Sequence, residues 1–168
     1  MRRVIFCIDL DGTLGHAQCA SFMTPSLKEL GGVLMHGDEY LFWPRPGAVE
    51  GLELLRLHGE VWAVTAGKRR HAGEFQRLLD FKFDRILGRE DEKWANGEIP
   101  SGVSWVLVDD APSGSFSYSA KMVMLAGSKV VDPQYYLCCH SFYPGSPGGD
   151  SFLTIAEAAI QRVKDQGQ

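Results

Sequence analysis

Nowhere in these 168 residues does an apolar run approach the roughly 20 needed to span a bilayer. Basic blocks are missing too. No run of five or more Lys or Arg occurs, and the formal net charge is −4. That argues against a chain whose affinity comes mainly from the phosphate backbone of nucleic acid, and no stable nucleic-acid complex is expected. Cysteine is scarce: Cys7, Cys19, Cys138 and Cys139. Cys138, Cys139 and His140 have no second C-x-x-C or H-x-H element to complete a zinc site, so reduced thiols are expected. There is no internal repeat and no low-complexity tract. The opening Met1-Arg2-Arg3 followed by Val4 to Ile8 has the outline of a targeting segment. The apolar stretch stops at Asp9 without a small-residue cleavage site, so it reads as a buried strand in a cytoplasmic protein.

What is present is an ordinary globular composition, 45% hydrophobic and 23% charged, at a length that favours one domain over 1–168. Continuous apolar runs recur at Val4–Ile8, Val61–Thr65, Phe83–Leu87, Trp105–Val108 and Lys121–Leu125. Unbroken rather than alternating apolarity is what strands covered on both faces require. Between them lie helical patterns. Gly47 to His58 follows Pro46 and is closed by Gly59; Gly67 to Leu79 buries Phe75, Leu78 and Leu79; Ser151 to Lys164 opens on cap residues. The expectation is an α/β fold with a doubly wound, mainly parallel five-stranded sheet. Two stretches lack a period. Residues 15–45 are expected to form a hairpin or flap, and 131–150 an irregular surface excursion.

The strand ends carry the chemistry. The first run leads into Asp9-Leu10-Asp11-Gly12-Thr13-Leu14, the second ends in Thr65-Ala66-Gly67, and the fourth in Asp109-Asp110. In a parallel sheet, ligands bind in the crevice beyond the carboxyl ends of the strands. Carboxylates converging there from separate strands repel one another unless a cation neutralises them. Oxygen ligands of this kind suit Mg²⁺.

These segments resemble the motifs of the haloacid dehalogenase-like (HAD) phosphatases: Asp-x-Asp-x-Thr after the first strand, the threonine Thr65, and the acidic pair Asp109-Asp110. Arg45-Pro46-Gly47, Val64-Thr65-Ala66-Gly67 and Val108-Asp109-Asp110-Ala111-Pro112 are similar to segments of the FCP/SCP-type phosphatases, which act on the C-terminal domain of RNA polymerase II. Lys93, 16 residues before Asp109, stands where that family carries a lysine. Two departures stand out. Residue 12 is Gly where the polymerase phosphatases usually have Glu, and Lys93 is followed by Trp94-Ala95 rather than Asp-Leu.

The resemblance implies a Mg²⁺-dependent phosphatase acting through an aspartyl-phosphate. Asp9 would be the nucleophile and Asp11 the acid and base. Thr65 would hold phosphate oxygens, and Lys93 would add positive charge, with Lys68, Arg69, Arg70 and Arg89 as rivals. The metal would be bound by Asp9, the Asp11 backbone carbonyl and Asp109. Asp110 would be either a further ligand or a structural acceptor. Neither insertion window is long enough for a large cap, so an open site is expected. Such a site suits a phosphorylated protein, an accessible small phosphoester or a polynucleotide end. Two alternatives stay open: a polynucleotide 3′-phosphatase of the same superfamily, and a phosphate-recognising module without catalysis.

Overall fold

In the computed structural model, which describes residues 3–91, 97–127, 133–147 and 149–167, the chain opens with β1 (Val4–Ile8), buried almost throughout. It lies between two parallel neighbours, β5 (Glu60–Val64) and β7 (Ser104–Asp109), so neither edge nor face of this strand meets water. β6 (Arg85–Leu87) pairs with β5, and β8 (Tyr136–Cys138) with β7, both parallel, giving the order β6-β5-β1-β7-β8. The expected five-stranded parallel sheet is therefore present.

Its fifth strand is a different segment from the one expected. Lys121–Leu125 belongs to helix α4 (Phe116–Ala126), and β8 comes from the stretch read as an irregular excursion. The apolar run misleads because α4 lies on the sheet and buries Tyr118, Lys121, Met122 and Leu125, at helical spacing. Local signals do mark a helix. The Ser115 hydroxyl accepts from the Tyr118 N–H, and Gly127, at φ 72°, closes the far end. β8 is only three residues long, too short for an apolar period to show.

Side-chain alternation divides the core. Phe6, Ile8, Val61, Ala63, Val106 and Val108 face one layer, formed by α2 (Ala48–Arg56), α3 (Arg69–Leu79) and α5 (Phe152–Asp165). Ile5, Cys7, Trp62, Val64, Trp105 and Leu107 face α4. α2 and α5 meet where Gly51 would place a Cβ only 2.6 Å from the Phe152 ring, so glycine permits their close approach.

Residues 15–45 form the flap. β2 (Gly15–Cys19), β4 (Tyr40–Pro44) and β3 (Val33–Met35) make an antiparallel sheet in the order β2-β4-β3, with the short helix α1 (Pro25–Glu29) between β2 and β3. The flap is docked on α3. Phe42 and Phe75 meet edge to face at 4.7 Å, and the His36 N–H donates to Glu74 Oε2 at 3.0 Å. Among the described residues, no helix is long and apolar enough to cross a membrane.

Candidate active site

The sheet hydrogen bonding continues one residue past several strand ends, and this brings the acidic residues together. The Asp9 N–H donates to the Val108 carbonyl at 2.9 Å, the Thr65 N–H to Leu87 at 3.0 Å, and the Cys139 N–H to Asp109 at 2.9 Å. Beyond Asp9 the chain turns sharply. The Leu10 carbonyl accepts from Thr13 at 3.1 Å and Leu14 at 2.8 Å, while fully buried Leu10 and Leu14 anchor the loop. Gly12 sits at φ 82°, and a Cβ there would overlap an Asp110 carboxylate oxygen. Glycine at this position is thus a requirement of both the turn and the neighbouring acid. A Glu here would have to displace Asp110.

Asp9 is 5% exposed and Asp109 fully buried. Between them lies a buried ammonium. Lys121 Nζ donates to Asp9 Oδ1 and to Asp109 Oδ2, each at 2.7 Å. The Thr13 hydroxyl donates to the other Asp9 oxygen at 3.0 Å, and the Ala111 N–H to the other Asp109 oxygen at 2.9 Å. Asp110 is half-buried and accepts from the Ser141 hydroxyl. Oxygen atoms of Asp9, Asp109 and Asp110 all lie within 4.8 Å of one another.

Sequence reasoning missed Lys121, since a residue assigned to a strand interior drew no attention as a cation. A lysine amid an otherwise apolar buried run was the available signal, because a buried lysine demands partners. Lys93 lies outside the described residues; among those described, the ammonium at Asp9 is that of Lys121. Arg69 and Arg89 are used elsewhere. Arg69 pairs with Asp91, and Arg89 Nε donates to the Ala66 carbonyl at 3.0 Å.

Charge explains why this cluster calls for a further cation. Burial pushes the Asp9 carboxyl up to about 8; Lys121 opposes that push and Asp109 adds to it. Burial pulls Lys121 down, but Asp9 and Asp109 outweigh it and hold the ammonium above its usual value. Three carboxylates against one ammonium leave an excess of negative charge that a divalent ion would neutralise. The donors are hard oxygens, which fits Mg²⁺.

Thr65 is 2% exposed, and its hydroxyl oxygen accepts from the Gly67 N–H at 3.0 Å. That bond leaves the hydroxyl proton for another acceptor. The helix N-terminus that follows is partly taken, because the Arg69 N–H donates to Glu90 at 3.0 Å. The Asp11 carboxylate is exposed and is not one of the three clustered acids. It faces His71, whose Nε2 lies 2.9 Å from Asp11 Oδ2, and His71 Nδ1 lies 3.1 Å from His36 Nε2 on the flap. Neither histidine is given a catalytic task by the sequence, although His71 closes the basic cluster Lys68-Arg69-Arg70-His71. Nothing in their spacing, 35 residues apart, announces the contact.

Residues 139–142, within the stretch expected to be a surface excursion, wall the other side of the site. The Phe142 N–H donates to the Gly12 carbonyl at 2.7 Å. Buried Arg45 donates to the Thr13 carbonyl at 3.0 Å and to the His140 carbonyl, tying the Asp9–Thr13 loop to this wall.

No protein-family model matches the chain, and no curated protein matches it. Solved structures do. A beryllium-fluoride-bound structure of fission yeast RNA polymerase II CTD phosphatase Fcp1 is 18% identical, with a TM-score of 0.54 over 97% of this chain and 50% of that one. A second structure of Fcp1, described as an essential RNA polymerase II CTD phosphatase, is 20% identical, with a TM-score of 0.56 over 98% and 49%. The chain therefore spans about half the length of the structures it matches. At these identities the similarity establishes the fold: this is the HAD-type architecture of the FCP phosphatases, as the sequence motifs implied.

Proposed function

We propose that the protein is a Mg²⁺-dependent phosphomonoesterase that works through an aspartyl-phosphate on Asp9. The observation that carries this reading is the buried Asp9–Lys121–Asp109 bridge with Asp110 beside it, on the fold of known phosphatases. Asp9, Asp110 and the Asp11 backbone carbonyl would hold the ion. Asp109, with both oxygens already accepting hydrogen bonds, would mainly position Lys121 and contribute as a ligand through a remaining lone pair. When bound, the ion supplies positive charge to a phosphate oxygen and to the acidic cluster.

An Asp9 carboxylate oxygen attacks phosphorus in line with the ester oxygen, whose bond to phosphorus breaks. Asp11 gives its proton to the departing oxygen. It then takes a proton from the water that attacks phosphorus in the aspartyl-phosphate, which frees inorganic phosphate and regenerates Asp9. The Thr65 hydroxyl donates to a phosphate oxygen. Lys121 opposes the burial that favours a proton on Asp9, and so eases ionisation of the nucleophile.

The direct test is hydrolysis of 4-nitrophenyl phosphate, expected to need added Mg²⁺ and to stop with chelator. The metal requirement should depend on pH in a definite direction. Because Asp9 is raised to about 8 in the metal-free protein, metal and proton compete for it below that pH. Apparent Mg²⁺ affinity should therefore rise from pH 6 to 8 by up to about tenfold per unit, then level off. No hydrolysis at any Mg²⁺ concentration would overturn the proposal.

His71 is a positioning residue on this reading, acting through Asp11. His71→Ala should lower kcat about 10- to 100-fold with KM for the aryl phosphate little changed, because a misaimed acid slows only the proton-transfer steps. His71→Gln keeps a donor and should recover part of the loss. Equal kcat in wild type and His71→Ala would remove His71 from the mechanism.

A further inference from the structure

Between the flap and α3 lies a cavity of about 370 Å³ lined by Asp11, Tyr40, His36, Lys68, Arg70 and His71 among others. Asp11 is among its lining residues and Asp9 is not. On the reading above, Asp11 protonates the departing oxygen, so the alcohol part of the substrate must occupy this cavity.

Two of its cations have no charge partner among the described residues once the neighbouring acids are followed to the groups they face. Asp11 faces His71 at 2.9 Å. Glu74, the acid nearest His36, is engaged by Arg77 at 2.9 Å and by the His36 N–H at 3.0 Å. Glu39 lies near His36 as well. Arg69, the neighbour of the two lining cations, turns to Asp91. Lys68 and Arg70 remain, both exposed and with side chains neither hydrogen-bonded nor ion-paired to any described residue. They also stand at the start of α3, which has no acidic residue in its first turn. Cations there are opposed by the helix dipole, so two unpaired ones are a local cost that folding does not explain.

We infer that the Lys68–Arg70 rim binds a second phosphate carried on the leaving group, so that the preferred substrate is doubly phosphorylated. The inference rests on the proposed phosphatase reading for its direction. Arg offers a fork that matches two phosphate oxygens, and Lys adds a mobile point charge. Two such contacts raise affinity for a leaving group that carries phosphate over the same group without it.

The test compares kcat/KM within two matched pairs: a serine phosphopeptide against its doubly phosphorylated form, and a nucleoside 3′-monophosphate against the 3′,5′-bisphosphate. At least one pair should favour the second phosphate by about 10- to 100-fold in wild type, and the pair that does so identifies the scaffold. In Lys68→Ala/Arg70→Ala the ratio should fall to about 1–3, and added salt should erode it in wild type. Arg70→Lys in the Lys68→Ala background should restore part of it. A ratio near one in both wild-type pairs, or an unchanged ratio in the double variant, overturns the inference even if 4-nitrophenyl phosphate is hydrolysed normally. If no phosphoester is hydrolysed, the phosphatase reading fails instead. Calorimetric binding of the bisphosphate against the monophosphate then decides the subsite alone, and equal affinities would sink it.

Discussion

Asp9→Asn is expected to abolish phosphate release, with a loss of about 10⁴- to 10⁶-fold, while leaving the fold intact. An amide is isosteric with the carboxylate and can still accept from Lys121 or Thr13 through its one oxygen, so the loop keeps an anchor. It cannot form the acyl-phosphate. Rapid acid quench of wild type mixed with radiolabelled substrate should trap label on the protein, and the variant should trap none. Far-UV circular dichroism and the unfolding midpoint check that the fold survives. Substantial turnover by a folded Asp9→Asn protein would refute the nucleophile assignment. It would leave the acidic cluster in need of another explanation.

Lys121→Met should be nearly as damaging to activity and more damaging to the fold. Lys121 is 3% exposed, and its ammonium bridges two buried carboxylates. Methionine replaces the apolar stem as far as Cε but leaves Asp9 and Asp109 facing each other without a counter-charge. Breaking such a bridge costs about 3–5 kcal/mol, less whatever a proton taken up by the pair or a bound metal restores. Activity should fall about 10³-fold, since the phosphoryl group loses a preorganised cation and Asp9 is more readily protonated. Lys121→Arg should not rescue, because a planar guanidinium does not fit a site built around two 2.7 Å contacts to one nitrogen. The measurements are kcat/KM and urea unfolding with and without Mg²⁺. Lys93→Met, run alongside, separates the two lysines. Loss confined to that variant would return the role to the residue favoured by spacing from Asp109.

The two lysines show where reading along the chain succeeds and where it stops. Asp9, Asp109 and Asp110 were legible because each lies at or just past the end of an apolar run, and strand ends in a parallel sheet share one rim. Thr65 was legible for the same reason. Lys121 reaches the cluster from one turn inside a helix, across the sheet, and no rule of strand ends points to it. The helix itself was mistaken for a strand because its buried residues form an unbroken apolar run. In a helix lying flat on a sheet, that pattern reflects burial on more than one side rather than β structure. The converse error hid β8, whose three residues sit among Pro, Gly and Ser. The flap was anticipated at 15–45, but its docking onto α3 was not. That docking depends on Phe42 meeting Phe75 and His36 meeting His71, contacts between segments more than 30 residues apart.

By itself the sequence determined the class of fold, the rim on which the acidic residues gather and the hard-oxygen character of the site. All three follow from local properties: unbroken apolarity, turn residues, and the chemical type of the side chain at each strand end. The tertiary structure alone decided which cation bridges Asp9 and Asp109, that Asp11 turns to a histidine rather than to the other acids, and that Lys68 and Arg70 line the crevice beside it. Those outcomes depend on how α4 and the flap pack against the sheet. Such packing is set by the shapes and partners of residues far apart in the chain, which no local pattern records.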